Sequence, residues 1–234
     1  RCRCESPEAT SRAILSIMKV VIVSDTICPW CYVGKRRFER ALADRTEVKP
    51  DIEWRPFQLN PEMPAEGLDR KVYLRAKFGS DERAGEIYTA LRDAGDGENI
   101  PFAFDSISRV PNTIASHRLI SLSLPSGRQD GVVEGLFRSY FLDGKDIGKI
   151  DVLTDVAAAA GLDAAEARAY LSGEEGAEQA RAESLESHRF GISGVPCFIF
   201  DGKYAVSGAQ EPEVFSQVFD LALQPDDAKK ATAL

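Results

Sequence analysis

One join constrains this chain more than any other stretch. The run Val20-Val21-Ile22-Val23-Ser24 leads through Asp25-Thr26-Ile27 into Cys28-Pro29-Trp30-Cys31. A short β-branched run reads as a buried strand, and Tyr32 to Leu42 reads as a helix. The first cysteine then falls at or just before a helix N-terminus, where unpaired N–H groups and the macrodipole favour an anion. A thiol there is pushed towards thiolate, the form that attacks disulfides. Pro29 suits the first helical turn because its missing N–H costs nothing there. Cys31, one turn along the same face, can reach back and resolve a mixed disulfide.

A C-x-x-C pair is also half of a zinc site. Zinc needs a second pair of ligands, and only Cys2 and Cys4 offer one; Cys197, His117 and His188 stand alone in the sequence. No metal site is expected. The dithiol reading is favoured, with a zinc-bound module or inert core cysteines as its rivals.

Composition narrows the class. With 234 residues the chain can bury a sizeable core. Its net charge of −8 argues against a nucleic-acid partner, and no basic stripe with interleaved aromatics occurs. Five cysteines do not suit a fully paired secreted framework. No apolar run reaches the length of a membrane span, and Ala13 to Met18 lacks the cleavage pattern of a signal peptide. Residues 1–18 are expected to form a disordered extension, with Met18 a natural start and Cys2 and Cys4 incidental. A cytoplasmic compartment is expected, where the pair would be held mostly reduced.

Along the chain, residues 19–60 read as strand, helix and strand, the second strand being Asp51 to Leu59. From 61 to 186 helical periodicity takes over. Its clearest stripe is Val132, Val133, Leu136, Phe137, Tyr140 and Phe141. Asp151 is expected to cap one helix, Asp163 the next, and a last one to run from about Glu174 to His188. Strand signals return over 191–200. Asp201-Gly202 is a primed hairpin turn, and Pro212 opens a closing helix. The tail, 224–234, is expected to be flexible. Two flanking pieces, 19–60 and 187–223, must therefore pack on each other around an inserted helical subdomain. The expected class is α/β, a thioredoxin fold interrupted by a large all-helical insertion.

Five stretches sharpen this. They are Cys-Pro-Trp-Cys-Tyr-Val-Gly-Lys (28–35), Trp-Arg-Pro-Phe-Gln-Leu-Asn-Pro (54–61), Pro-Asn-Thr-Ile-Ala-Ser-His-Arg-Leu (111–119), Gly-Ile-Ser-Gly-Val-Pro (191–196) and Val-Ser-Gly-Ala-Gln (206–210). In this order the sequence resembles the DsbA-like thioredoxin family, most closely its FrnE-type branch. The resemblance implies that Cys28 is the nucleophile, Cys31 the resolving thiol, and Val195-Pro196 a cis peptide facing them. Two positions depart from the pattern: Ser116, where Ala is more usual, and Cys197, where an apolar residue is expected.

Substrate contact is assigned to Trp30, Val195 and Pro196, with Asn112 and His117 in secondary roles. Asn112 is most simply an N-cap, and His117 a buried, hydrogen-bonded histidine on a helix stripe. Trp54 reads as core, and Lys35, Arg36 and Arg37 as a solvated helix face. Cys197 starts an apolar strand and reads as an inert core thiol.

The leading expectation is a thiol–disulfide oxidoreductase that reduces, oxidises or isomerises disulfides of a protein or small-molecule thiol partner. No bound cofactor is expected, with glutathione a candidate co-substrate. The alternative is a glutathione-dependent isomerase or transferase of small aromatic compounds, since 2-hydroxychromene-2-carboxylate isomerases and kappa-class glutathione transferases have similar folds. Those relatives typically carry serine at the nucleophile position, and an isomerase has no need of Cys31.

Overall fold

The computed structural model describes residues 16–224. Strand β1 (Ser16–Ser24) alternates as a half-buried strand does: Met18, Val20 and Ile22 turn into the core, while Ile17 is 74% exposed. Helix α1 (Pro29–Ala43) connects it to β2 (Val48–Pro56), which runs parallel to it in register from Ser16 opposite Val48 to Ser24 opposite Pro56. The expected extension is therefore too long. Ser16 donates its N–H to Glu47 O, and Met18 is buried in the main core. Residues 1–15, with Cys2 and Cys4, lie outside the described residues.

The helical segment opens with a two-residue strand β3 (Leu68–Asp69) leading directly into α2 (Arg70–Phe78). It continues through α3 (Asp81–Asp96), strand β4 (Arg109–Val110), α4 (Ile114–Ser123) and α5 (Gln129–Phe141). Helices α6 (Ile150–Ala159), α7 (Ala164–Ser172) and α8 (Ala177–Arg189) complete it. Asp163 caps α7 by accepting the N–H groups of Ala165 and Glu166. Asp151 does not cap α6. Lys149 holds the N-cap position, and Asp151 sits in the first turn, where a carboxylate still favours the helix dipole.

Beyond α8, which runs to Arg189 and so carries the insertion past 186, residues 191–196 form a loop rather than a strand. Ladder pairing starts only at β5 (Cys197–Phe200), antiparallel to β1. Asp201 (φ 51°) and Gly202 (φ 66°) make the turn into β6 (Tyr204–Ser207). Helix α9 (Pro212–Leu223) closes the described chain. The sheet order is β2-β1-β5-β6. As an edge strand, β2 needs its backbone covered. Gln129 at the start of α5 does this, accepting the Trp54 N–H (2.9 Å) and donating to Trp54 O (3.3 Å). The tail beyond Gln224 lies outside the described residues.

Two aromatic clusters hold α1. Phe38 packs between Phe198 and Phe200 of β5 and Phe215 and Phe219 of α9, all five fully buried. Tyr32 instead stacks on Phe137 of α5, ring centroids 5.1 Å apart. The sheet and the insertion thus share one continuous core, and the helix bearing the cysteines is its bridge. The basic run after Cys31 is not a solvated face. Lys35 is 2% exposed and pairs with Glu39, Asp130 and Glu134, while Arg36 pairs with Glu134. Arg37 pairs with Glu98 and Glu211.

Candidate active site

Cys28 is the N-cap of α1, in extended backbone (φ −92°, ψ 111°), with Pro29 opening the helix. The turn is shaped by backbone bonds from Cys28 N–H to Asp25 O and from Cys31 N–H to Cys28 O, both 3.0 Å. Cys28 Sγ donates to Val195 O at 3.6 Å, and the Val195–Pro196 bond is cis. Pro196 packs against α1 at Gly34. A Cβ built there would stand 2.9 Å from Pro196 Cγ, so the glycine permits the close approach. Cys28, Cys31 and Cys197 are free thiols.

The two thiols differ in setting. Cys28 lies at the helix end, where open N–H groups gather positive potential, and borders a cavity. Cys31 is 1% exposed. Burial pushes its thiol well above the usual range, and the hydrogen bond and charge of Cys28 and the Asp25 carboxylate push the same way. The Asp25 backbone N–H works against them without prevailing.

Asp25 itself is fully buried. Its Oδ2 accepts the Leu59 N–H at 2.8 Å, and its Oδ1 faces His117 Nε2 at 3.4 Å. Neither Oδ1 nor Nε2 has a hydrogen-bond partner. Beside this contact, Thr26 and Ser116 share a hydroxyl hydrogen bond of 2.8 Å. Ser116 Oγ also bonds Thr113 O, so its hydroxyl ties α4 to the turn before Cys28. An alanine at 116 would lack that tie. Arg118, next in the same motif, donates to the carbonyls of Tyr170 and Gly173 at 2.7 Å, a purely structural clamp on the end of α7.

A cavity of about 310 Å³ opens against Cys28 between α1, α2 and α3. Trp30, 38% exposed, and Val195 line it, as do Tyr73, Tyr88, Phe104 and Phe141. His117 does not line it but lies against Asp25. Asn112 is not at the cavity either. Thr113 takes the N-cap of α4, while Asn112 Oδ1 accepts the Ile114 N–H and its Nδ2 donates to Met63 O at 2.7 Å. His188 packs at a tilt against Phe57, centroids 4.1 Å apart. Cys197 packs with Val23 and Phe57 in a separate cluster, and burial raises its pKa.

Sequence reading missed Asp25, whose signal was an acid at the end of an apolar strand, three residues before Cys28. It also missed the cavity walls on α2 and α3. Among the described residues no three His, Cys, Asp or Glu side chains converge as a metal site, and no helix is long and apolar enough to cross a membrane.

Comparison with known proteins agrees with this architecture. The chain is 26% identical over 217 residues to the uncharacterized protein YwbO of Bacillus subtilis, covering 90% of this chain and 98% of that protein. It is similar to a probable DsbA oxidoreductase from Streptomyces coelicolor, with 36% identity, a TM-score of 0.78, and coverage of 88% of this chain and 89% of that one. A 2-hydroxychromene-2-carboxylate isomerase shares the fold at 14% identity and a TM-score of 0.64, covering 87% of this chain and 95% of that one. One fold thus carries two chemistries, and the site must decide between them. The model of the DSBA-like thioredoxin domain matches residues 19–220, and the chain belongs to that family.

Proposed function

We propose that this protein is a thiol–disulfide oxidoreductase in which Cys28 attacks and Cys31 resolves. The observation that carries the reading is the asymmetry of the pair: Cys28, 5% exposed, caps α1 and lines the cavity, while Cys31, 1% exposed, lies one turn behind it and does not. In the reducing direction the Cys28 thiolate attacks one sulfur of a substrate disulfide and releases the other as a thiolate. Cys31 then gives up its proton and attacks Cys28 Sγ, releasing the second substrate thiol and leaving a Cys28–Cys31 disulfide. Two electrons pass from the dithiol to the substrate. The carboxylate of Asp25, fully buried, is close enough for its charge to act on Cys31.

In this scheme no bound cofactor is needed, and glutathione is a candidate thiol for restoring the dithiol. A cytoplasmic setting suits the reducing direction. The apolar cavity would also suit an isomerase of small aromatic compounds. That chemistry uses a single thiol or hydroxyl and gives no role to Cys31. The test is reduction of insulin disulfides by an excess of dithiothreitol. The wild-type protein should accelerate it and Cys28→Ser should not; equal rates for the two would defeat the proposal.

A further inference from the structure

The walls of the cavity carry more information than its size. Its lining is aromatic and aliphatic on every side, and Arg70 and Lys77 are the charged residues in it. No acid lines it, although the chain as a whole carries −8. Neither cation is paired with a carboxylate among the described residues. The Arg70 guanidinium lies over the Tyr88 ring (4.8 Å) and near that of Phe104 (5.8 Å). Lys77 Nζ donates to Tyr73 OH at 2.8 Å. Arg70, half-buried, and Lys77, exposed at the rim, thus contact rings and a hydroxyl rather than carboxylates. Lys35, by contrast, has three carboxylates around it.

We propose that the cavity selects a small aromatic disulfide bearing a carboxylate or similar anionic group. The ring is held by the aromatic walls, the anion is met by Arg70 and Lys77, and the sulfur is presented to Cys28. This rests on the dithiol reading above and names its substrate class. A cavity of about 310 Å³ is at the lower end of small-molecule sites, large enough for one arylthio half of such a molecule. The chemistry balances without a further reagent in a single turnover. Cys28 displaces one aryl thiolate, Cys31 displaces the second and loses its proton, and the protein ends as the disulfide with two aryl thiols released.

The test is stopped-flow reaction of the reduced protein with dithiobis(nitrobenzoate), which is dianionic, and with the neutral dithiodipyridine. Each rate is divided by that of the same reagent with 2-mercaptoethanol, a thiol with no charged group besides its sulfur, which removes intrinsic leaving-group differences. The anionic reagent should be favoured by about tenfold, the size of one charge-assisted contact. The double variant Arg70→Gln, Lys77→Gln should bring that ratio close to unity. A wild-type ratio at or below unity, or a ratio unmoved in a folded double variant, would overturn the proposal.

A second measurement needs no variant. Naphthoate should slow alkylation of Cys28 by iodoacetamide, and naphthalenemethanol should do so less; equal protection would count against the anion site. Reaction with insulin and both aryl disulfides but no anionic preference would defeat this inference alone. Reaction with no disulfide at all would defeat the dithiol reading beneath it.

Discussion

His117 Nε2 stands 3.4 Å from Asp25 Oδ1, and neither atom has a hydrogen-bond partner. Both side chains are buried, on elements far apart in sequence. The contact ties α4 of the insertion to the turn that precedes Cys28, and it aims a carboxylate at the one thiol whose ionisation is most opposed. In a Cys28→Ser background, Asp25→Asn removes one of the charges that oppose ionisation of Cys31. The pH profile of Cys31 alkylation should therefore move to lower pH. A profile that stays put or moves up would show that Asp25 does not act on Cys31 electrostatically.

His117→Ala should lower stability by about 1–3 kcal/mol, the usual cost of truncating a fully buried side chain. It should also slow resolution of a mixed disulfide more than its formation, since the histidine touches Asp25 and not the cavity. Separate rates for the two steps, from quenched-flow trapping, check this. Slowing confined to the first step would place His117 at the substrate instead.

The Lys35 cluster makes a prediction about acid stability. Burial would raise the Glu134 carboxyl, but Lys35 and Arg36 outweigh it and hold the folded pKa below the ordinary value. Such a group stabilises the fold above the unfolded carboxylate pKa of about 4.3, and that contribution disappears as pH falls through the depressed folded value. Glu134→Gln should cost about 1–2 kcal/mol at neutral pH, discounted for its partial exposure. The Tm difference from wild type should then shrink below about pH 4. A difference that persists unchanged into acid would mean packing, not charge, is responsible.

Much of the fold could be read in the sequence because its signals are local. Cys28-Pro29 announces a helix start, Asp201-Gly202 a primed turn, and Pro212 a second helix start. The stripe from Val132 to Phe141 announces the core of the insertion. Three features depended on tertiary placement. Lys35, Arg36 and Arg37 look like a solvent face until Asp130, Glu134 and Glu98 arrive from other elements. Asp25 looks like a turn residue until Leu59 and His117 close over it. The cavity was hidden because Arg70, Tyr73, Lys77 and Tyr88 sit on amphipathic helices whose inner faces read simply as core. Met18 shows the reverse error: a strand's first residues resemble a leader when their partner strand is not yet placed.

Cys197→Ala should leave disulfide exchange unchanged. The thiol packs with Val23 and Phe57 away from the Cys28 cavity, and burial raises its pKa. Loss of a small buried side chain should cost about 1 kcal/mol. Insulin reduction and thermal melting of this variant check both parts; lost exchange in a folded protein would make Cys197 a third redox centre.

The central claim is that Cys28 attacks and Cys31 resolves, and one variant tests it most directly. Cys31→Ser retains the attacking thiol at the head of α1 and removes the group that displaces the substrate. Incubated with a disulfide and examined by intact mass and peptide mapping, it should accumulate a mixed disulfide on Cys28. The wild-type protein should pass through the same adduct to a Cys28–Cys31 disulfide. An adduct on Cys197, or no adduct on Cys28 while the variant remains folded, would contradict the account.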